Sequence, residues 1–272
     1  MDAVIVTEGS NDVEILKALL TRQSHRTQGP WNWQIEIVPA IGEPGGRDNI
    51  PNWVKRYVKY SKLIIVIFDP DDKSYSKVIR QIFRKILKNL NASDDKQERW
   101  EYLAQESRRL STQIGLDARR IRVIQTTEDG KVKRVLLAFW PAQVQSLKRA
   151  HSMLDYILVL LRQENILKKV LKDLQQVRAD ERISARKIIE KHDEILKLLQ
   201  DQNIRVSSSK RELDFLKALV GFREGYGKMG AKIIRNKLIS QKDLESVFGD
   251  MIDFIEKLLA FVQSGQWANG IR

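Results

Sequence analysis

Residues 63–68 read Leu-Ile-Ile-Val-Ile-Phe, six apolar positions in a row, rich in β-branched side chains and bounded by Lys62 and Asp69. A strand with one wet face alternates apolar and polar residues. An unbroken apolar run of this length fits a strand buried on both faces. Helices packed on both sides of a mostly parallel sheet provide that burial, so this segment points to an α/β architecture. Ala3–Thr7 (AVIVT) is a second short run of the same kind, and Ile35–Pro39 reads as a further strand.

Between these runs the periodicity is helical. Residues 11–22 place Val13, Leu16, Leu19 and Leu20 on one face. The Glu43-Pro44-Gly45-Gly46 segment reads as a loop, and Asp48 or Asn49 is placed to cap a helix running to Tyr60. Tyr75–Leu90 forms a basic amphipathic helix, and a polar helical stretch is expected over 94–110. Residues 121–126 are strand-like. Glu128-Asp129-Gly130-Lys131 is a hairpin turn signal, and 132–140 is the returning strand. Strand and helix alternate as far as Trp140-Pro141.

Past Pro141 the pattern changes. Residues 151–202 are nearly all helix formers, with apolar positions at Leu154, Ile157, Leu158, Leu161 and again at Leu167, Val170, Leu171, Leu174. Ser207-Ser208-Ser209 interrupts them, Ser209 and Glu212 fit a capping box, and Ser240 caps a last helix to about residue 262. Gly225, Gly227 and Gly230 mark a loop or a helix end. This places one domain over 1–145 and an α-helical domain over 146–272, with no internal repeat.

The chain has 272 residues, 42% hydrophobic and 31% charged, which is a globular composition. It has no Cys, which excludes disulfides, thiolate nucleophiles and Cys-based zinc or iron–sulfur sites. His25, His151 and His192 are scattered without metal-ligand spacing. The N-terminus has no basic segment or cleavage site, and the apolar run at 63–68 is far short of the roughly 20 residues a spanning helix needs. The expectation is a soluble, cytoplasmic protein with no membrane partner. The net charge of +13 suggests a polyanionic partner. That charge is spread evenly, with 24 basic and 18 acidic residues to position 140 and 24 and 17 beyond it.

Two acidic motifs follow strand-like runs. Thr7-Glu8-Gly9-Ser10-Asn11-Asp12 follows the first, and Asp69-Pro70-Asp71-Asp72 follows the run at 63–68. Ligands of open α/β sheets bind outside the carboxyl ends of the strands. If the two strands are neighbours, Glu8, Asp69 and Asp71 converge. Converging carboxylates repel unless a cation or raised pKa values relieve them, and hard oxygen donors suit Mg2+ (or Mn2+). Gly9 permits a tight turn after Glu8. Asp12 lies in the first helical turn, where it can swing toward the same metal or simply complement the helix dipole.

A strand ending in Glu-Gly, a helix, a second strand with a Gly-containing loop, and a strand ending in Asp-x-Asp resemble the Toprim pattern. That pattern is shared by topoisomerases, bacterial-type primases, OLD-family nucleases and ribosomal-RNA maturation nucleases. The resemblance covers roughly residues 1–140 and rests on Glu8-Gly9 and Asp69-x-Asp71. It implies a Toprim-type, mostly parallel sheet flanked by helices, here followed by an α-helical domain. It also implies that Asp69 and Asp71 hold Mg2+, with Glu8 as metal ligand or general acid/base. OLD-type nucleases add an acidic residue four after the Glu, matched here by Asp12. The chain departs from type IA topoisomerases, because Asp72-Lys73-Ser74-Tyr75 follows the Asp motif in place of Arg-Glu-Gly-Glu. It also lacks the Cys of typical bacterial-type primases and the P-loop of full-length OLD proteins.

The expected activity is Mg2+-dependent phosphodiester cleavage of DNA or RNA by an endonuclease. Two ions roughly 4 Å apart would clamp the attacking and leaving oxygens. Primase-like nucleotidyl transfer and a non-catalytic nucleic-acid-binding protein are the alternatives. Arg47, in the loop after the second strand, is placed to meet a phosphate. The segment Gly225-Tyr226-Gly227-Lys228-Met229-Gly230-Ala231-Lys232 suits a loop that follows a phosphate backbone, with Lys228, Lys232 and Arg235 as contacts. The basic residues of the 75–90 helix offer a further contact or a solvated face. The series Leu167, Val170, Leu171 and Leu174 offers either a core contact or a homodimer surface, and an ATPase partner is left open. Trp31, Trp33 and Trp140 are expected in the core.

Overall fold

A computed structural model describes residues 3–24, 34–42, 46–70, 74–92, 99–128, 130–143, 152–174, 185–202, 209–220, 224–235 and 238–265. The chain begins with β1 (Ala3–Thr7), α1 (Ser10–Ser24) and β2 (Ile35–Pro39). A 3-10 turn at Gly46–Asn49 leads into α2 (Ile50–Tyr57), β3 (Leu63–Phe68) and α3 (Tyr75–Leu90). Next come β4 (Glu101–Tyr102), α4 (Ala104–Ile114), a 3-10 turn at Ala118–Arg120, β5 (Ile121–Glu128) and β6 (Lys131–Pro141). The described elements that follow are helices: α5 (Met153–Leu161), α6 (Glu164–Leu174), α7 (Ala185–Asp201), α8 (Ser209–Val220), α9 (Tyr226–Arg235) and α10 (Gln241–Gln263).

The six strands form one sheet in the order β2-β1-β3-β6-β5-β4. The ladders β1·β2, β1·β3 and β3·β6 are parallel, while β5 runs antiparallel to both of its neighbours. The sheet is therefore mixed. The expected hairpin turn returns β6 beside β5, with Gly130 at φ 72° where an L side chain would be strained. Strand β4 was not expected. Its two residues are too few to show a period, and they fall within the helix predicted over 94–110, of which the described part is α4 from Ala104; residues 94–98 lie outside the described ones.

The apolar runs do what their continuity requires. Ala3, Ile5, Leu63, Ile65, Ile67, Leu136 and Ala138 point into one apolar cluster, and their alternating neighbours Val4, Val6, Ile64, Val66, Phe68, Leu137 and Phe139 into another. The second cluster is closed by α2 and α3. The first is closed by α1 and α4 and continues without a break into α5, α6, α9 and α10. Trp140 packs on Phe254 of α10 with ring centroids 4.9 Å apart, and Tyr156 of α5 stacks on Phe248 of α10 at the same distance. The expected domain boundary near 145 lies outside the described residues. So do Trp31, Trp33, His25 and His151, whereas Trp140 is buried as expected.

Leu167, Val170 and Leu171 are buried within this same core, so their face of α6 is filled by the chain itself. Ser240 caps α10 through a reciprocal box with Asp243, as the sequence indicates. Asn49 stands at the N-cap of α2 without a side-chain cap bond, and its amide donates to the Ile41 carbonyl instead. Ser209 is the first residue of α8. Its expected box partner Glu212 is buried and meets Arg162 of the α5 end at 3.3 Å. Among the described residues, no helix is long and apolar enough to cross a membrane.

Candidate functional site

The register of the parallel strands brings the two acidic motifs together. Thr7 pairs with Ile67 of β3 and with Pro39 of β2, and Phe68 pairs with Pro141 of β6. All four strands thus end on one line, and Glu8 and Asp69 emerge side by side just past it. The Glu8 Oε1 atom accepts a hydrogen bond from the Asp69 backbone N–H at 3.0 Å. The Arg47 Nη1 donates to the Asp69 carbonyl at 2.9 Å. Gly46, at φ 60°, is close behind: a Cβ on it would sit 3.9 Å from Glu8 Oε2. The turn after β2 therefore lies against the ends of β1 and β3, the edge where Arg47 was expected.

Asp12 is buried in the first turn of α1, and its Oδ2 accepts the Gly9 N–H at 3.2 Å. Burial pushes its pKa up to about 6, against the smaller opposing effect of that hydrogen bond. A carboxylate in this setting is charged at neutral pH only at a cost, which a nearby cation would offset. Asp71 lies outside the described residues, and so does the Pro44-Gly45 part of the preceding loop.

One further contact has no signal in the local pattern. The backbone N–H of Met153, the first residue of α5, donates to Asp69 Oδ1 at 3.2 Å. A carboxylate at a helix N-terminus is favourable because the first N–H groups there lack partners within the helix. Ser152 and Asp155 form a capping box at the same terminus. That Ser-x-x-Asp spacing marks a helix start, but not that the start would land on Asp69. The helical half is thereby anchored on the acidic edge.

The second expected surface differs from its reading. Residues 226–235 are not a loop but helix α9, which runs alongside α1. The Gly227 N–H donates to Asn11 Oδ1 at 3.0 Å, and a Cβ on Gly227 would lie 2.6 Å from the Asn11 Cα. A Cβ on Gly230 would lie 2.8 Å from the Ile157 Cδ1. The glycines therefore permit close helix packing and not backbone freedom. Small residues at 227, 230 and 231, three and four apart on one helix face, carry that signal in the sequence. Arg22 closes the end of the pair by donating to the carbonyls of Ile234 and Ile239 at 3.0 and 2.8 Å. Lys228 is exposed, Lys232 lies 3.5 Å from Asp173, and Arg235 lies 3.9 Å from Glu14.

No family model, curated protein or solved structure matches the chain. The donor set must carry the chemistry by itself. Glu8, Asp12 and Asp69 offer hard carboxylate oxygens of the kind that suit Mg2+ or Mn2+, and none of the soft donors that select other metals. Among the described residues, no three His, Asp or Glu side chains stand close enough together to make a metal-holding group. A complete ligand set at this edge would have to draw on Asp71. His192 is buried. It lies in α7 beside Asp193 (3.4 Å) and Glu212 (3.8 Å), within the helical half.

Proposed function

We propose that this chain is a Toprim-like, divalent-metal-dependent phosphodiesterase acting on nucleic acid. The observation that carries the reading is the meeting of Glu8 and Asp69 at the carboxyl ends of adjacent parallel strands, with Arg47 on the Asp69 carbonyl. That edge is where open α/β sheets bind ligands. The residues present fit a hard divalent cation: Asp69 and Asp71 would hold it, with Glu8 and Asp12 contributing. When bound, such an ion would supply positive charge to a scissile phosphodiester and acidify an attacking water. Glu8 would orient that water and accept its proton. Arg47 would meet a non-bridging phosphate oxygen while keeping its bond to the Asp69 carbonyl.

A specific observation favours a second reading. Glu8 accepts the Asp69 N–H and Asp69 accepts the Met153 N–H, so both carboxylates also fasten backbone. On that reading the edge is a structural clip in a non-catalytic protein that binds nucleic acid. Thermal melting with and without Mn2+ separates the two. A ligand that binds only the folded state stabilises it by about 2.7 kcal/mol at a hundredfold excess over its Kd. Asp69→Asn keeps an oxygen acceptor for the Met153 N–H but loses the charge. The proposal expects Mn2+ to raise the melting temperature of the wild type by several degrees and that of Asp69→Asn by much less. Equal shifts would move the metal away from this edge and leave the clip.

A further inference from the structure

Helices α2 and α3 lie side by side over the second apolar cluster. Together they carry seven Lys and Arg residues and no Asp or Glu. On α3, Lys77, Arg80, Arg84 and Lys88 are exposed and spaced three or four apart, which puts them in one stripe roughly 16 Å long. On α2, Lys55 and Arg56 are exposed beside it. Among the described residues, none of these four α3 cations has an ion-pair partner. Surface helices ordinarily intersperse both signs of charge, because uncompensated like charges repel along a helix.

The stripe leads to the acidic edge. A cleft of about 430 Å3 opens between the 3-10 turn and α3, its polar lining Arg47, Asp48, Gln81, Arg84 and Lys85. Lys85 is held at its mouth by Asp48 at 2.7 Å. Arg47 is at once a wall of this cleft and the residue bonded to the Asp69 carbonyl. Positive charge therefore continues from the open face of α3 to the place where Glu8 and Asp69 meet.

We infer that the α2–α3 face is a docking surface for the sugar–phosphate backbone of a nucleic-acid duplex, which it guides through the Arg47 cleft toward the acidic edge. The assignment of that edge as the destination rests on the function proposed above; the docking itself does not. Charge complementarity selects a polyphosphate. The duplex form follows from the aromatics: single strands are held by rings offered to the bases, whereas here Trp53 is stacked against Tyr57 and covered by the Arg56 guanidinium at 4.7 Å. Tyr57 and Tyr75 are likewise engaged, donating to Glu36 and Asp117, and the exposed Tyr60 and Tyr102 stand outside the two helices, after α2 and on β4. Among the described residues, the helices themselves can neutralise phosphates without offering an open ring to a base. The α9 cations are a poorer track, since Lys232 and Arg235 already lie beside carboxylates.

The test is fluorescence anisotropy of a short labelled DNA duplex, without divalent metal, at several salt concentrations. It compares wild type, the triple variant Arg80→Ala, Arg84→Ala, Lys88→Ala, and the triple variant Lys228→Ala, Lys232→Ala, Arg235→Ala. The exposed α3 positions leave the core intact, and an unchanged melting temperature verifies this. Each lost phosphate contact flattens the plot of log affinity against log salt by about 0.9. The α3 variant should bind more weakly and lose about 2 to 3 units of slope, while the α9 variant stays near wild type. Wild-type binding with an unchanged slope in the α3 variant would overturn the inference, as would no binding of duplex by wild type or tighter binding of a single strand. A protein that binds as described but never cleaves with Mn2+ would retain this surface and lose the proposed activity. A protein that cleaves, with the α3 variant binding and cutting like wild type, would do the reverse.

Discussion

Asp12 is the residue whose ionisation bears most directly on stability. Its pKa rises from 3.8 to about 6 on folding because the carboxyl is buried in the first turn of α1. A raised folded-state value means the folded protein binds that proton more tightly. The stability it contributes is full below about pH 4 and is lost as pH climbs through about 6. Two units correspond to about 3 kcal/mol at neutral pH. Asp12→Asn keeps an oxygen for the Gly9 N–H and removes the titration. In chelator, urea unfolding should find the variant more stable than wild type at pH 7 by up to about 3 kcal/mol, with the gain shrinking toward pH 4. The same difference at both pH values would contradict the burial of an ionisable Asp12. At this scale the sequence showed which carboxylates stand at strand ends, because Glu8 and Asp69 directly follow apolar runs. It did not show that Glu8 would accept the Asp69 N–H or that Arg47 would reach the Asp69 carbonyl. Both depend on strand register and loop path, which local pattern does not encode.

Elements were legible where a single period held over their length. Leu63–Phe68, Ile35–Pro39 and Tyr75–Leu90 occupy the spans expected of them. Helix formers fill the stretch over 151–202, so the pattern does not show that α5 ends at Leu161 and α6 begins at Glu164; residues 175–184, ahead of α7, lie outside the described ones. Helix α9 departs from the loop or helix end expected of its glycines, because glycine weakens helices in general and only close packing, on α1 at Gly227 and on α1 and α5 at Gly230, explains them. This contrast is testable. Gly227→Ala drives a methyl into the Asn11 backbone and should destabilise the protein by about 1–3 kcal/mol, as overpacking does. Gly249 lies within α10 with open space around its Cα. Gly249→Ala should therefore stabilise by up to about 1 kcal/mol through helix propensity alone. Denaturant midpoints of the two variants give the comparison, and a stabilised Gly227→Ala would refute the tight α1–α9 contact.

For the whole molecule, two-sided burial of three adjacent strands accounts for the layered architecture, and charge distribution distinguishes its faces. One face of the sheet shares its core with the helical half, through Trp140, Phe254, Tyr156 and Phe248. The opposite layer, α2 and α3, presents the unbroken positive stripe. The α/β class could be read from the continuous apolar runs, and the β5–β6 return from its turn residues. The direction of β5 within the sheet and the pairing of β6 with β3 could not, because they depend on which strands lie side by side, which local pattern does not encode. Between these layers the strand ends gather Glu8, Asp12 and Asp69, and the central claim is that this edge cleaves phosphodiesters with a divalent metal. Nicking of supercoiled plasmid in Mn2+ tests it most directly, comparing wild type with Glu8→Gln and Asp69→Asn, substitutions that keep the backbone hydrogen bonds and remove the charge. The account predicts metal-dependent nicking by wild type and its loss in both variants, with duplex affinity retained. Nicking by the two variants at the wild-type rate, or none by wild type, would contradict it.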